Sequence, residues 1–538
     1  MRWKTSGLKG RVSSMIVYKL HEESSLASFL RSFATVGSNT MISRILGFTR
    51  DLVLARMFGA DAATDAFFVA FKIPNFLRRL FAEGAFSLAF VPVLTEYRTL
   101  GEPGKLREFV DKMAGTLGSV LLLVTLVGEL VAPLLVFIFA PGFQLGGEGK
   151  YGLAVEMLYL TFPYLFFISL TAFAGGILNT HNRFGAASFT PALLNISLIA
   201  CALWLSPHFE VPVVSLAWGV LIAGVVQFSF QLPFLKQLDL VPRPKIAFRD
   251  HGVVKVIKLM VPALFGVSVS QLNLLLDTLI ASFLVSGSIS WLYYSDRLME
   301  FPVGILAVAL GTVILPNLSR KYSENSSREF SETLDWAMRV TLLLGIPCSI
   351  GLLLLAGPML ATLFYSDAFT AHDVSMASLS LMAYAPGLLS IMLIKVLAPG
   401  FYARQDTRTP VKIGIMAMVS NMVLNIILVF PFAHAGLALA TTLSSSLNAF
   451  LLYRGLRRDG VLRLSKGWVT LLLRSLVAGS LMGAFLIWGV GELDYWLEIG
   501  LWSRIINLVL WIGGAACLYF IVIYAMGIRP SHFRSAQC

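Results

Sequence analysis

Apolar runs long enough to cross a membrane recur along most of this chain. Inside a bilayer every backbone N–H and C=O must find a partner within protein, so such runs fold as helices. About fourteen segments qualify, the first two by helical periodicity, because a spanning helix needs roughly 20 residues. The 538 residues are 57% hydrophobic and 13% charged, against about 25% charged in soluble domains. The sequence therefore predicts an all-α polytopic membrane protein without a soluble domain.

Basic residues mark one side of the predicted protein. Lys and Arg concentrate in alternate loops, and the intervening loops carry almost none. The loops poor in basic residues are 59–63, 206–212, 286–290, 366–373 and 431–436. Because positive residues stay on the cytoplasmic side, both termini are expected to be cytoplasmic. Topology thus explains the net charge of +12, and no nucleic-acid partner is predicted.

The two halves of the chain repeat each other. Val91–Tyr97 resembles Leu315–Tyr322, and Gly176–Pro191 resembles Gly400–Pro410, at offsets between 219 and 225 residues. Each repeat spans six helices, so the halves share one orientation and form two pseudo-symmetric lobes around a central cavity. The predicted division is an N-terminal cytoplasmic extension (1–27), an N-terminal lobe (28–238), a C-terminal lobe (250–460), two extra C-terminal helices (466–528) and a cytoplasmic tail (529–538).

The stretch Ser38–Phe86 is apolar enough for a membrane and yet carries many charges. Charges at membrane depth cost roughly 2.5–3.5 kcal/mol each, so they usually face a water-filled path or a partner. Basic residues outnumber acidic ones here, and arginine binds phosphate through two parallel hydrogen bonds. The candidate anion-binding residues are Arg44, Arg50, Lys72, Arg78 and Arg79, and the candidate cavity or gating residues are Asp51, Asp65 and Glu83. Alternatively, Asp51, Arg79 and Glu83 only pair internally and hold helices together.

A second charged group lies in the stretch Ser290–Gly304 of the second half. Arg297 and Glu300 share one helical face, and we expect them to pair across the cavity mouth. The candidate gating residues of this group are Asp296, Arg297 and Glu300. The aromatic residues Trp291, Tyr293 and Tyr294 are typical of a belt at the membrane interface.

A third group, Asp277, Asn421, Asn425 and Thr441, is polar but mostly uncharged. Oxygen ligands with a single carboxylate suit a hard cation such as Na⁺, so a sodium site is one interpretation. The alternative, which spacing alone favours, is interhelical hydrogen bonding. No other cofactor is predicted, because the sequence holds no P-loop, dinucleotide-binding loop or nucleophile elbow. The four cysteines predict neither a disulfide framework nor a metal site.

Three stretches resemble the hallmarks of a known family. They are SRILGFTRDLVLARMFGADAATDAFFVAFKIPNFLRRLFAEGAFSLAFVPV (43–93), WLYYSDRLMEFPVGILAVALGTVILPNLS (291–319) and KVLAPGFYARQDTRTPVKI (395–413). These are similar to motifs of the MurJ (MviN) family of bacterial lipid II flippases. That family belongs to the multidrug/oligosaccharidyl-lipid/polysaccharide (MOP) exporter superfamily. The similarity covers nearly the whole chain from about Ser25.

The resemblance implies two six-helix lobes around a V-shaped cavity, with the two extra helices forming a groove for a lipid tail. It implies a substrate of undecaprenyl pyrophosphate carrying the peptidoglycan disaccharide-pentapeptide, lipid II. It also implies a location in the bacterial inner membrane, with membrane lipids and cell-wall synthesis proteins as further partners. A sodium site of some relatives maps onto Asp277, Asn421, Asn425 and Thr441, and Asn425 is where this chain departs from it.

These observations predict a transporter, not an enzyme. We expect lipid II to enter laterally, its pyrophosphate to bind the N-terminal lobe, and the lobes to rock in alternating access. The gate would close through Asp65, Arg297 and Glu300. The main alternative is a cation-coupled exporter of drugs or of another polyprenyl-linked oligosaccharide, which the excess of basic residues disfavours for cationic drugs. A third alternative is a scaffold of cell-wall assembly that transports nothing.

Overall fold

The computed structural model describes residues 35–145 and 149–529. Within helices it describes only the backbone at 81–83, 265–274 and 306–313. Every regular element in the described ranges is a helix, which confirms the predicted all-α class. The predicted N-terminal extension and nearly all of the C-terminal tail lie outside the described residues.

Helices α1 to α9 form the first half of the described chain. They span 35–58 (α1), Ala62–Leu77 (α2), Ser87–Thr99 (α3), Pro103–Leu130 (α4), Ala132–Phe139 (α5), Lys150–Thr161 (α6), Tyr164–Thr180 (α7), Phe184–Ala200 (α8) and Val214–Lys236 (α9). A π-helical segment, Arg78–Phe86, joins α2 to α3 without a break. Pro74 lies one turn before this segment, and its missing N–H weakens the α-helical hydrogen bonding there.

Helices α10 to α20 form the second half and the C-terminal region. They span His251–Ala281 (α10), Ser288–Pro302 (α11), Val308–Ser323 (α12), Ser327–Leu354 (α13), Ala356–Leu363 (α14), Ala371–Tyr384 (α15), Gly387–Tyr402 (α16), Arg408–Arg458 (α17), Trp468–Gly489 (α18), Leu493–Glu498 (α19) and Leu501–Ala525 (α20). A π-helical segment, Val303–Ala307, joins α11 to α12. It repeats the junction between α2 and α3, as expected for a duplicated half.

Helix α17 turns back on itself at Ala433, whose backbone is not helical (φ 47°, ψ −128°). Its two arms run side by side, since the Asn421 amide in the first arm donates to the Ser444 hydroxyl in the second (3.3 Å). Gly436 permits the turn, because a Cβ there would lie 2.1 Å from the Leu428 carbonyl oxygen. The turn falls inside the loop predicted at 431–436, so α17 contains two antiparallel segments.

The surface of the bundle suits a lipid environment. Eight described helices are long and apolar enough to span a membrane, and the pair α15–α16, bent by 44°, would make a ninth. Large apolar side chains lie open on the surface, among them Leu130, Phe430 and Trp488. Soluble monomers rarely expose large contiguous apolar patches. The predicted number of about fourteen spans depends on bent or polar segments as well, and it stays a prediction.

Each half ends in an extended segment that an aspartate holds. After α9 the Arg243 N–H donates to Asp111 of α4 (2.7 Å). After α17 the Ser465 N–H donates to Asp335 of α13 (3.3 Å). Asp111 and Asp335 are 224 residues apart, which is an offset of the sequence repeat. The same packing device therefore occurs once in each half.

The apolar cores differ at the two ends of the bundle. One large core joins the halves, with Phe67 of α2 and Tyr294 of α11 in the same cluster. Each of the two smaller cores lies almost entirely within one half. The exceptions are Val253 and Val256, which belong to α10 of the second half but pack in the core of the first. Helix α20 packs on the second half, where the Tyr519 hydroxyl donates to the Leu343 carbonyl (3.0 Å). The large core thus joins the halves at one end, and the first part of α10 joins them at the other.

Candidate functional site

A cavity of about 280 Å³ lies between the α2–α3 rod of the first half and α10, α11 and α17 of the second. Aromatic rings line much of it, including Phe68, Phe71 and Phe139. Its polar lining contains seven of the predicted site residues: Lys72, Arg79, Asp277, Asp296, Arg297, Glu300 and Thr441. Residues more than 300 positions apart in the sequence therefore line the same cavity.

The two walls of this cavity carry opposite charge. The first half contributes two cations, Lys72 and Arg79, and the second half contributes three carboxylates against one guanidinium. Lys72 faces Asp277 and Asp296. None of the carboxylates that the structure describes comes close enough to form an ion pair with Lys72. The Lys72 ammonium is therefore directed into the cavity.

Arg50 lies beside the cavity in a buried network. Its guanidinium donates to Asp51 (2.6 and 2.9 Å), to the Asn195 amide oxygen (3.0 Å) and to the Tyr293 hydroxyl (3.0 Å). The Tyr293 hydroxyl donates in turn to Asp51 (2.8 Å). Since Tyr293 belongs to α11, the network joins the first half to the second. All three guanidinium nitrogens of Arg50 have partners in this state.

Asp51 also connects this network to the predicted gating pair. The Arg297 Nε atom lies 3.5 Å from Asp51, and its Nη1 atom lies 2.7 Å from Glu300. Arg297 therefore pairs with Glu300, but within α11 and not across the cavity mouth, since residues three apart lie on one face of the helix. The guanidinium of Arg297 also stacks over the Tyr293 ring, 5.0 Å from its centroid.

The remaining basic residues of the first stretch lie around the cavity rather than in its lining. Arg44 is exposed on α1, and its guanidinium lies against Gly304, where a Cβ would approach its Nη1 atom to 2.1 Å. Arg78 donates to the Asn75 side chain (3.0 Å). The side chain of Glu83 lies outside the described residues, so its predicted pairing with Arg79 stays a prediction.

Asp65 closes one end of the cavity. Its carboxylate is 2% exposed and accepts hydrogen bonds from the Gly287 N–H (2.8 Å), the Ser290 N–H (2.9 Å) and the Ser290 hydroxyl (2.7 Å). An anion at a helix N-terminus binds unpaired N–H groups and the positive end of the dipole. Asp65 of the first half thus caps α11 of the second. We call residues 59–65, 282–290 and 362–373 the closed end.

The aromatic residues after Ser290 are not a lipid-facing belt. Trp291 and Tyr294 are 2% and 0% exposed, and the Trp291 indole donates to Asp373 (2.9 Å). Interfacial anchors would be open to lipid headgroups. The belt interpretation was therefore wrong for these two residues, which instead pack α11 against α15.

The four predicted cation ligands form one hydrogen-bonded chain. The Asn425 amide donates to Asp277 (2.7 Å) and to the Asn421 oxygen (3.0 Å), and the Asn421 amide donates to Thr441 (3.4 Å). The Asn425 oxygen is buried without a hydrogen-bond partner. A half-turn of this amide would direct its oxygen towards Asp277 and Asn421. The donor set then fits a small hard cation.

Sequence reasoning missed several residues of these contacts. Asn195 and Ser290 bind Arg50 and Asp65, and Arg56 of α1 binds carbonyl groups of α14. Asn195 could have been found as a polar residue inside an apolar run. Arg56 is likewise a charge inside an apolar run, but its partners could not be predicted, because every residue supplies a backbone carbonyl.

Comparison with known proteins identifies the family. Residues 54–504 match the family model described as lipid II flippase MurJ. This chain belongs to the MurJ family. A protein of Vibrio cholerae named probable lipid II flippase MurJ is 50% identical over 513 residues, which cover 94% of this chain and 98% of that one. The lipid II flippase MurJ of Burkholderia cenocepacia is 43% identical over 512 residues, which cover 94% and 99%.

Solved structures give the same family and its wider fold. A lipid II flippase MurJ in an inward closed conformation superposes with a TM-score of 0.75 at 27% identity, covering 91% of this chain and 99% of that one. An inward-facing multidrug transporter of the MATE family, in the MOP superfamily, gives 0.61 at 14% identity and covers 80% and 98%. The second likeness concerns the fold alone. The resemblance to the MurJ family inferred from the sequence is thus confirmed.

Proposed function

We propose that this chain flips lipid II from the inner to the outer leaflet of the bacterial cytoplasmic membrane by alternating access. The observation that carries the proposal is the cavity between the halves, with cations on one wall and closure at one end. Family membership supports lipid II as the substrate. The reaction moves a lipid and breaks no covalent bond, so the protein acts as a transporter and not as an enzyme.

The closed end is proposed to face outward. Three of the loops poor in Lys and Arg, at 59–63, 286–290 and 366–373, lie there. Positive residues remain on the cytoplasmic side, so the opposite end and both termini would be cytoplasmic. Lipid II would then reach the cavity from the inner leaflet, with its tail along α18 and α20.

The pyrophosphate is proposed to bind the wall of the first half. Lys72 and Arg79 already line the cavity, and Arg44 is exposed nearby on α1. Arg50 and Arg78 would join after releasing their present partners. A pyrophosphate that competes for Arg50 would break its bonds to Asp51 and Tyr293, and so loosen a contact between the halves. Substrate binding would thereby favour opening.

Two driving forces are proposed for the cycle. An anionic substrate that moves outward gains about 2.3 kcal/mol per charge for each 100 mV of membrane potential. Asp277, Asn421, Asn425 and Thr441 would hold Na⁺, whose binding to the second half would reset the lobes. If both forces act, removal of sodium should lower the flux, and collapse of the membrane potential should lower it as well. Flux that survives both treatments would contradict this coupling scheme.

The substrate assignment is tested with purified protein. Native mass spectrometry should show binding of lipid II in preference to undecaprenyl phosphate. Proteoliposomes with headgroup-labelled lipid II should expose the label on the opposite leaflet. The double variant Arg44→Ala, Arg50→Ala should be produced at the normal level. It should lose both the preferential binding of lipid II and the exposure of labelled lipid II on the opposite leaflet. Equal binding of the two lipids would contradict the substrate, and a fully active double variant would contradict the phosphate-binding role of these arginines.

A further inference from the structure

The last turn of α1 docks on the segment that joins α14 to α15. The Arg56 guanidinium donates from Nε to the Leu363 carbonyl (2.8 Å) and from Nη2 to the Thr362 carbonyl (3.1 Å). In return, the Ser366 hydroxyl donates to the Arg56 carbonyl (3.0 Å). Three hydrogen bonds thus join one residue of the first half to the second half, at the closed end.

The acceptors of Arg56 are the last carbonyls of α14. A helix leaves its final carbonyl groups without intrahelical partners, and they carry the negative end of the helix dipole. A cation placed there makes charge-assisted bonds. Among the residues that the structure describes, no carboxylate forms an ion pair with Arg56. The charge of this side chain is therefore directed at the helix terminus.

Gly59 allows the close approach that these bonds need. Its backbone is left-handed (φ +69°), and a Cβ there would lie 2.1 Å from the Ala368 carbonyl oxygen. The end of α1 is therefore in backbone contact with the second half, and a side chain at this position would separate them. Gly101 has a similar φ of +71°, but a Cβ there would meet nothing within 4 Å.

A neighbouring arginine, Arg504, also binds α14 but does not connect the two halves. Arg504 of α20 donates to the Ala361 carbonyl of α14 (3.4 Å) and to the Leu497 carbonyl (2.7 Å). Helices α14 and α20 pack on each other, and neither belongs to the first half. Arg504 therefore holds together parts that move as one in a rocking motion, whereas Arg56 spans the moving boundary.

We infer that Arg56 is a second latch of the closed end, separate from the contact of Asp65 with α11. It is a positioning residue that must release Thr362 and Leu363 before the cavity can open at this end. The inference rests on the proposed alternating access. The two latches use different elements: α2 and α11 for Asp65, and α1 with the α14–α15 segment for Arg56.

The experiment measures access to the cavity from the closed end. Leu292, which lines the cavity, is changed to cysteine in a protein whose four native cysteines are replaced by alanine. A membrane-impermeant maleimide is then added on the outer side of oriented cells or vesicles. Arg56→Met removes the donors at similar length and should raise the labelling rate about fivefold, the factor for a shift near 1 kcal/mol. Gly59→Ala should act in the same direction.

Matched controls separate latch release from general damage. Arg504→Met removes the neighbouring arginine, and Gly101→Ala adds the same Cβ at the same backbone conformation. Neither should raise labelling from the closed end. Arg56→Lys keeps the charge with a single amine and should give an intermediate rate, which also covers the case in which Arg56→Met folds poorly. Circular dichroism melting of each variant checks the fold.

The Asp65→Asn variant distinguishes the two ways in which the idea could fail. If Asp65→Asn raises labelling and neither Arg56 variant does, the second latch is overturned and alternating access stands. If no variant at either latch changes labelling, the closed end is not a gate, and the proposed mechanism fails with the inference. Increased labelling in the Arg56 variants and in Gly59→Ala, with unchanged controls, establishes the latch.

Discussion

Lys72 is the clearest single candidate for contact with an anionic substrate. It lines the cavity and has no ion pair with any carboxylate in the part of the chain that is described. We expect Lys72→Gln to lower lipid II transport in proteoliposomes about tenfold or more, which corresponds to about 1.4 kcal/mol of lost binding. Lys105→Gln removes an exposed lysine that pairs with Glu102 and should leave the rate unchanged. Equal rates in both variants would remove Lys72 from the binding site.

Asn425 decides whether the polar chain of the second half holds a cation. Its amide lies 2.7 Å from Asp277, so Asn425→Asp would bring two carboxylates into contact, where like charges repel. We expect this variant to melt at a lower temperature in choline chloride and to regain stability in NaCl at the same ionic strength. The parent protein should show a smaller shift in the same direction. Identical melting in the two salts for both proteins would leave hydrogen bonding as the only role of this chain.

Individual contacts were harder to predict than the residues that make them. Arg50 and Asp51 were both candidates from the sequence, yet nothing in it showed that these two neighbours pair with each other at 2.6 Å. The chain from Asp277 to Thr441 was anticipated as a group because polar residues inside apolar runs need partners. The bonds of Asp65 to backbone N–H groups and of Arg56 to backbone carbonyls could not be predicted, since every stretch of chain supplies such donors and acceptors.

At the scale of elements, Asp335 fastens the last helices to the second half. Its carboxylate accepts from Arg339, from the Trp468 indole and from the N–H and hydroxyl of Ser465. Asp335→Ala would leave the Trp468 indole and the Ser465 N–H unpaired, whereas Arg339 keeps its bonds to Ser465 and Lys466. A lost hydrogen bond to a charged group costs about 1.5–3 kcal/mol. We expect a lower melting temperature and faster proteolysis in the segment 459–467, before α18. Asp367→Ala, at an exposed position, should change neither, and an equal loss in both variants would contradict the role of Asp335.

The sequence predicted the helices better than it predicted the irregularities within them. The turn of α17 lies in a loop predicted from its lack of basic residues, whereas the π-helical segment that begins at Arg78, one turn after Pro74, was not predicted as such. The non-helical residue itself, Ala433, could not be predicted, because alanine favours helix. Tertiary contact between the arms overrides that preference.

For the whole molecule, the fold and the charged groups of both halves were predictable, but the partners of individual charges were not. Hydrophobic runs, the repeat and the family motifs suffice to predict a duplicated helical bundle. The excess of basic residues in the first stretch predicted an anion-binding site there, but Arg50 and Arg56 have protein partners. The second half adds Asp277, Asp296 and Glu300 to the lining. The result is a cavity with two oppositely charged walls, which suits an anionic group on one side and a cation on the other.

The two ends of the molecule should respond differently to salt. At the closed end the contacts between halves are buried or half-buried. At the other end Lys255 of α10 lies 2.5 Å from Glu96 of α3, and both side chains are substantially exposed. Exposed ion pairs contribute about 0–1 kcal/mol and weaken as salt screens them over a Debye length of about 8 Å. High salt should therefore increase labelling of a cavity cysteine from the cytoplasmic side and leave labelling from the closed end unchanged.

A charge swap tests whether the ion pair between Glu96 and Lys255 holds the cytoplasmic end together. Glu96→Lys places two like charges together and should raise cytoplasmic labelling at low salt, because repulsion replaces attraction between α3 and α10. Glu96→Lys combined with Lys255→Glu restores opposite charges and should return the rate to that of the parent. The single variant should also lose most of its effect at high salt, since the repulsion is screened as well. If the double swap labels as fast as the single variant, the pair does not hold this end. The apolar contacts of Val253 and Val256 with the first half and the ion pair of Lys112 with Asp250 would then hold it.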